Sequence, residues 1–561
     1  MEAQVLLDKY FETAFSAPDG VKKLRELILS LAMQGKLVPQ DPNDQPASEL
    51  LKEIEVEKER LIKEGKIKKS KPLPEITSDE IPYDLPKSWE WVKLGQITEY
   101  NGRNNIQPNE ILDDTWLLDL EDIEKDTSRI IYRAKYFERK SKSTKSIFKK
   151  GDVLYGKLRP YLNKVVVADD DGVCTTEIAP IVPYLGIDPH FLKLLLKRPS
   201  FLNYVNSLMY GVKMPRLGTN HAVESIHPLP PFEEQKRIVE KIDRLMEQCD
   251  RLEKLRKEHH QKRLIIHTAA RDRLLNAIDQ NSLSQSWNFI NNNFGELYSV
   301  KENVSELRKI ILQLAVMGKL VPQDPNDPPA SELLKEIEVE KQQLIKEGKI
   351  KKQKPLPELK EIPYILPKGW KWVRVIDVVD VGTGSTPTTT NSEYYGGNIP
   401  WYTSSATNNE IAEKPNVFIT EKALKETNCK IFPTGSLIIA LYGQGKTRGQ
   451  ISEIIIPGAT NQAIAAMIFF ESSKGIKQYL KYFFKKIYDE IRTLAEGGAQ
   501  PNLNVGKIKD TLIPLPPLSE QHRIVTKIDQ LMKICDQLEQ QIEQSTDKRT
   551  KLLNSILSNI Q

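Results

Sequence analysis

The 561-residue chain has little cysteine. Its four residues, Cys174, Cys249, Cys429 and Cys535, lie far apart and never form C-x-x-C. That spacing speaks against a disulfide framework or a zinc knuckle and fits a reducing compartment. The seven histidines show no H-E-x-x-H or other metal-ligand spacing. No apolar run approaches the roughly 18 residues that a membrane-crossing helix needs. The start, Met1-Glu2-Ala3-Gln4, carries no basic n-region and no apolar core, so no secretory signal is read there. The expectation is a cytoplasmic protein without a membrane partner. Charge of one sign is lacking too: 81 Lys+Arg face 76 Asp+Glu, a net of +5. This excludes nucleic-acid binding by bulk charge, so any basic patch must be local. With 39% hydrophobic and 28% charged residues, the chain reads as folded, with exposed helices, and long enough for about three to four domains.

What the sequence does have is internal repetition. Residues 21–75 recur at 304–358 with a constant offset of 283. GKLVPQDPND stands at 35–44 and 318–327, and ASELLKEIEVEK at 47–58 and 330–341. A second pair follows at an offset of 286: PLPPFEEQKRIVEKIDRLMEQCDRLE (228–253) matches PLPPLSEQHRIVTKIDQLMKICDQLE (514–539). Between these frames, residues 95–225 and 376–511 look unrelated. Near-identical frames should fold alike and present one surface twice. Unlike inserts on like frames suggest one job done on two targets, whereas plain drift after duplication should have eroded the frames as well.

Periodicity gives a coarse structure. Val21, Leu24, Leu27, Ile28 and Leu31 form one helical stripe, with Gly35 placed as a C′ residue. Ser48 is expected to cap a second helix over 49–64. KIKKSKPLPE (66–75) and its twin KIKKQKPLPE (349–358) read as exposed basic arms, either phosphate-contacting straps or solvated linkers. The later frames show 4-3 spacing: Ile238, Ile242, Leu245, Cys249 and Leu252, then Ile524, Ile528, Leu531, Cys535, Leu538 and Ile542. The two helices are expected to pair through this seam, with both cysteines acting as small buried hydrophobes. Arg256, His259 and Arg263 weaken the distal seam of the first. An Asn- and Ser-rich spacer (281–293) separates the halves.

The inserts carry the candidate chemistry. Between Arg129 and Lys164 twelve Lys/Arg meet only Glu138 and Asp152, a local net of +10, interleaved with tyrosine and phenylalanine. Such a surface suits a polyanion. A single strand-like run over 152–167 would put Lys157 and Arg159 on one face, with Tyr155 and Tyr161 alongside. The second insert is less basic and rich in Gly, Thr, Ser, Asn and Gln. Amides and Arg can contact base edges bidentately, which points to Gln444, Lys446, Thr447, Arg448, Gln500 and Asn502; ordinary polar turns would look the same. Residues 440–447 (ALYGQGKT) mimic a relaxed P-loop, but the continuation RGQISEIIIPG reads as a strand rather than the phosphate-binding helix the mechanism needs. The only PPF, at 230–232, lacks the preceding Asn or Asp of an amino-methyltransferase. No nuclease-like acidic cluster stands out.

The PLPP-x-x-EQ-x-RIV-x-KID blocks, GAQPNLN (498–504), the looser GVKMPRLG (211–218), GSLIIALYGQGKTRG (435–449), GATNQAIAAM (458–467), GDVLYGKLRPYLNK (151–164) and CTTEIAPI (174–181) together resemble the specificity subunit of a type I restriction–modification enzyme. The resemblance spans nearly the whole chain. It implies an α+β fold: two α/β target-recognition domains separated by long helices packed as an antiparallel coiled-coil pair, a pseudo-twofold tandem repeat. The implied layout is an N-terminal helical frame and arm (1–88), recognition domain 1 (89–229), a central long helix (230–280), a spacer (281–303), a second frame and arm (304–369), recognition domain 2 (370–515) and a C-terminal long helix (516–561). The implied function is non-catalytic recognition of double-stranded DNA, each domain reading half of an asymmetric bipartite site, in a bacterial or archaeal cytoplasm. Two methyltransferase subunits and separate restriction/translocase subunits would be its partners. S-adenosylmethionine, ATP and Mg would sit on those partners and none on this chain. Expected DNA contacts are Lys145, Lys149, Lys157, Arg159, Tyr161, Lys164, Lys213 and Arg216 in the first domain. In the second they are Tyr442, Gln444, Lys446, Thr447, Arg448, Gln500, Asn502 and Asn504. A self-contained DNA-modifying or ATP-driven enzyme, and a scaffold that joins two protein partners without reading DNA, are the competing readings.

Overall fold

A computed structural model describes residues 12, 15–69, 71–209, 213–352, 362–413, 415, 417–443, 446–496 and 503–560. The chain divides into two compact units, one of residues 1–259 with 545–561 and one of residues 260–544. Among the described residues no helix is long and apolar enough to cross a membrane.

The first unit begins with α1 (Gly20–Met33), which buries Val21, Leu27, Ile28, Leu29, Ala32 and Met33 along one side. It stops at Gly35, whose φ of +67° is costly for any residue with a Cβ. The Lys36 N–H then donates to the Leu31 carbonyl at 2.9 Å. The second helix, α2 (Ala47–Lys63), buries only Ala47, Leu50 and Ile54. The expected Ser48 cap is not made. The N-cap residue is Pro46, without a side-chain bond, and the Ala47 N–H donates to the Ser88 carbonyl at 2.9 Å. A backbone acceptor at the entrance to the insert does the work assigned to a hydroxyl.

The insert supplies β1 (Glu90–Lys93), β2 (Thr98–Tyr100), β3 (Asn105–Ile106), β4 (Trp116–Leu118), β5 (Ala134–Lys135), β6 (Lys145–Phe148), β7 (Val153–Gly156), β8 (Val165–Val167), β9 (Gly172–Thr175) and β10 (Ile178–Pro183). Then come α3 (Pro189–Lys197), α4 (Pro199–Leu208), α5 (Thr219–Glu224), β11 (Ile226–Leu229) and the long α6 (Phe232–Leu275). Antiparallel β1 and β11 tie the two ends of the insert together. Between them lie two sheets, β2-β10-β7-β8 and β3-β6-β9-β4-β5. Ile238, Ile242 and Cys249 of α6 share a core with α1, α2 and the first sheet.

The second unit repeats this plan. The expected spacer is instead a helix, α7 (Gln280–Asn292), N-capped by Asp279 through the Ser282 N–H at 2.7 Å. Leu283, Trp287 and Ile290, at helical spacing, meet the core; the polar residues between them hid that stripe. Next come α8 (Lys301–Val316) and α9 (Ala330–Lys346), then β12 (Lys371–Arg374), β13 (Val379–Thr383), β14 (Tyr395–Tyr402), β15 (Ile411–Ala412), β16 (Phe418–Ile419), β17 (Ile431–Phe432), β18 (Leu437–Ala440), β19 (Ile451–Ile454), β20 (Gly458–Thr460) and β21 (Ile464–Phe469). The chain closes with α10 (Lys477–Lys486), α11 (Tyr488–Glu496), α12 (Val505–Asp510), β22 (Leu512–Leu515) and α13 (Leu518–Ile560). The sheets are β13-β21-β18-β19-β15 and β16-β14-β20-β17. Despite unrelated sequences the inserts share a strand plan. The hairpin β7–β8 corresponds to β18–β19, and the parallel pair β4/β9 to β14/β20.

The repeated PLPP block knots each unit together. Glu234 is buried and accepts from Trp89 Nε1 at 3.0 Å and Gln40 Nε2 at 3.0 Å. Glu520 accepts from Trp370 Nε1 at 2.8 Å and Gln323 Nε2 at 3.1 Å. Burial raises both carboxyl pKa values, and the donors oppose the rise. Arg237 pairs with Asp44 at 2.6 Å and Arg523 with Asp327 at 2.7 Å. The motif residues therefore join frame, insert and long helix. Arg25 on Asp250 (2.8 Å) and Glu253 (2.8 Å) recurs as Arg308 on Asp536 (2.7 Å) and Glu539 (3.1 Å).

The seam positions divide by unit. Ile524, Ile528 and Cys535 join the core that holds α8 and the second insert, with Leu531, Leu538 and Ile542 packed against it. Leu245 packs partly buried on the first core. Leu252, expected in the seam, is 40% exposed. At that turn the frame helix meets α6 through the polar Arg25 pairs rather than through an apolar contact.

Candidate nucleic-acid interface

In the first insert the candidate residues gather at the β7–β8 connection. The expected single strand over 152–167 is broken. β7 ends at Gly156, Arg159 and Asn163 take left-handed conformations (φ 50° and 51°), and Pro160–Leu162 form a tight turn between them. Alternation therefore fails: Tyr155 is 3% exposed and lies in the core, while Tyr161 is 42% exposed at the turn. The loop is held from three sides. The Arg159 N–H donates to the Pro215 carbonyl at 2.8 Å, the Leu217 N–H to the Lys157 carbonyl at 3.0 Å, and the Lys157 N–H to the Glu177 carbonyl at 3.0 Å. Helix α4 packs against the turn. This brings Lys157, Arg159, Tyr161, Lys213 and Arg216 together from two distant segments. Arg159 and Lys213 are exposed and Lys157 half-buried.

Several expected contacts are otherwise engaged. Lys145 is only 5% exposed in β6, where its Nζ donates to Ser143 Oγ at 3.2 Å. Lys164 donates Nζ to the Leu120 carbonyl at 2.7 Å, and burial lowers its pKa. Arg216 grips Glu177 with two bonds of 2.8 Å while staying largely exposed. Lys149 is exposed at the end of β6. The +10 stretch is also less cationic in space than in sequence. Arg129 pairs with Glu124, Arg133 with Asp169, Lys135 with Asp114, Arg139 with Asp122, and Lys140 with Asp113. All these acids lie outside the counted window. Asp122 is buried; the other four are surface pairs, which contribute only about 0–1 kcal/mol to stability, but each of the five removes one cation from the field that a polyanion would meet. The remaining positive charge falls at Lys142, Lys149, Lys150, Lys157 and Arg159.

In the second insert the equivalent β18–β19 connection carries Tyr442, Lys446, Thr447 and Arg448. It closes through Gly449 N–H to the Ala440 carbonyl at 2.9 Å and Ala440 N–H to the Gln450 carbonyl at 3.1 Å. No helix follows Thr447; the chain returns as β19, as expected of a strand and unlike a P-loop. Helix α11 buttresses the loop as α4 does in the first insert. Tyr488 Oη donates to the Lys446 carbonyl at 2.5 Å, and Arg492 Nη1 to the Arg448 carbonyl at 3.3 Å. Thr447 Oγ1 donates to Asn408 Oδ1 at 3.3 Å. Tyr442 is 37% exposed and Lys446 is exposed. Asn504 has a structural role: its Oδ1 caps α12 through the Lys507 N–H at 2.9 Å. Gln444, Gln500 and Asn502 lie outside the described residues. Sequence reasoning missed Tyr488, Arg492 and Lys197, which support the loops from behind. Their only signal was position on amphipathic helices.

A family model, the type I restriction modification DNA specificity domain, matches residues 86–259 and 367–546. The chain belongs to this family. It is 37% identical over 568 residues to the type I restriction enzyme EcoAI specificity subunit of Escherichia coli, covering 95% of this chain and 92% of that one. It is 34% identical to the EcoEI specificity subunit of the same organism, covering 96% and 93%. A solved HsdS subunit from Thermoanaerobacter tengcongensis matches with 19% identity and a TM-score of 0.47, over 85% of this chain and 98% of that one. As a type I specificity chain, the protein is a DNA-recognition component and not a catalytic one. The two family matches each span an insert and the first part of its long helix. That is the stretch knotted by Glu234 and Glu520.

Proposed function

We propose that each insert reads one half of an asymmetric bipartite site in duplex DNA, and that the long helices fix the spacer between the halves and dock two methyltransferase subunits. The observation that carries this reading is the pairing of one strand plan with two unlike loops. Lys157, Arg159 and Tyr161 occupy the place that Tyr442, Lys446 and Arg448 take in the other insert. Phosphate contacts from the cations give affinity and orientation, while the amide-bearing loops meet base edges. Two readers on one chain gain a high effective concentration for the second half-site. Restriction/translocase subunits complete the assembly, in the cytoplasm. S-adenosylmethionine, ATP and Mg belong to the partners on this reading.

Co-expression with the methyltransferase subunit, followed by genome-wide mapping of methylated adenines, tests it. Two short specified blocks with a fixed unspecified gap are expected. One uninterrupted motif would contradict it, and S-adenosylmethionine turnover by the purified chain alone would revive the enzyme reading.

A further inference from the structure

Arg216 and Glu177 form an ion pair beside the β7–β8 loop, and the backbone holds both ends of it. Glu177 stands in the turn between β9 and β10, where its carbonyl accepts from the Lys157 N–H at 3.0 Å. Arg216 forms an isolated antiparallel bridge with Leu158. The residues on either side are fixed too: the Pro215 carbonyl accepts from the Arg159 N–H at 2.8 Å, and the Leu217 N–H donates to the Lys157 carbonyl at 3.0 Å. Leu217 is 3% exposed, and alternation along this extended stretch turns Arg216 outward. The Arg216 side chain is 57% exposed and that of Glu177 27%.

The strand connection does not require this pair. In the second insert the Leu441 N–H makes the matching bond to the Ala463 carbonyl at 2.8 Å, with no carboxylate present. Glu177 and Ala463 differ by the offset of 286, as do PRLG (215–218) and PNLN (501–504). Both members of the pair are thus replaced together in sequence, by Ala463 and Asn502. What the pair does is orient a guanidinium. Arg216 Nε donates to Glu177 Oε2 and Nη2 to Oε1, both at 2.8 Å, so the Nε–Nη2 edge is occupied. Among the described residues Arg216 donates to nothing else, which leaves the Nη1–Nη2 edge with two parallel N–H groups. That edge matches two acceptors side by side. A phosphate offers them, but it brings negative charge toward the Glu177 carboxylate. A base edge offers them without that repulsion. In the major groove guanine sets two acceptors, N7 and O6, next to each other; adenine sets a donor beside N7, and thymine and cytosine show no such pair.

We infer that Arg216 reads a guanine in the half-site of the first insert through its Nη1–Nη2 edge, and that Glu177 is the positioning residue that holds the guanidinium for it. The inference rests on the function proposed above and adds a base to it. Glu177 also keeps Arg216 from turning to a backbone phosphate, so its charge favours selectivity over affinity.

Duplexes are selected from a randomised pool with the assembled complex, and the salt dependence of binding is measured on a selected and on an unrelated duplex. One block of the unsubstituted motif should contain a guanine that Arg216→Lys leaves unspecified, its preference falling about ten- to a hundredfold. The other positions, the gap and the second block should stay, which also shows that the fold has survived. Lysine keeps the charge but not the planar fork, so a phosphate contact survives this substitution and a guanine contact does not. Glu177→Gln should weaken the same preference. It should also tighten binding to the unrelated duplex and steepen its slope of log K against log[salt] by about 0.9, as one more phosphate is met. A motif without guanine, an unchanged guanine in Arg216→Lys, or a loss spread over both blocks would overturn the inference. Unaltered preference and slope in Glu177→Gln would overturn the positioning role. If the unsubstituted complex selects no two-block motif, it is the reading of function that fails.

Discussion

Lys197 ends α3 and reaches the β7–β8 loop of the first insert from behind. Its Nζ donates to the Asp126 carbonyl at 2.6 Å and to Ser128 Oγ at 2.5 Å. The Ser128 hydroxyl in turn donates to the Asn163 carbonyl at 3.0 Å and accepts from the Val165 N–H at 3.2 Å. One side chain thus ties a helix to the strained turn that presents Arg159. Burial lowers the Lys197 pKa to about 7; Lys193 adds to the shift and Asp126 opposes it. The ordinary value is 10.5, so between about 7 and 10.5 the unfolded chain binds more protons than the folded one. Stability therefore rises with pH across that window and gains nothing more above it. The advantage of the natural chain over Lys197→Met should grow by about 3 kcal/mol from pH 7 to pH 9.5, measured by urea unfolding. A constant difference would show that Lys197 stays charged. Such features escape a reading of composition. The count of twelve cations was correct, yet Asp113, Asp114, Asp122, Glu124 and Asp169 fold back onto five of them. A window along the chain registers charge, whereas binding depends on charge in space.

At the scale of elements, the frame helices were legible because their apolar positions recur at helical spacing and few tertiary contacts compete. Ile238, Ile242 and Cys249 are buried where the heptad placed them. What they pack against was not legible, since a 4-3 pattern names a face and not its partner; here it is the unit's own frame helix and insert. Leu252 fits the same pattern and is left exposed. Ile242→Ala should accordingly cost about 2–4 kcal/mol in urea unfolding, and Leu252→Ala under about 1 kcal/mol. Equal costs would mean that Leu252 is covered. The β7–β8 loop was misread for a local reason. Lys157–Val167 looks like a continuation of a strand, and only Pro160 and Asn163 hint at the turn. Gly172 shows a second limit. A Cβ there would meet the Phe148 ring and the Trp116 carbonyl, both at 2.6 Å, and at Gly458 it would meet the Pro400 carbonyl at 2.6 Å. Both strands need glycine for close approach, and nothing adjacent in sequence announces it.

At the scale of the whole molecule, the tandem plan was the most legible feature, because the frames repeat nearly letter for letter. The likeness of the inserts was the least legible, because a shared strand order is kept by which positions are buried and not by which residues fill them. Like scaffolds with unlike loops are what two independent readers require. The most direct test selects bound duplexes from a randomised pool with the assembled complex. Lys157→Ala with Arg159→Ala should blur one block of the selected motif and leave the other intact. Lys446→Ala with Arg448→Ala should do the reverse. If either pair blurs both blocks together, or neither, the two inserts are not separate readers and the account is contradicted.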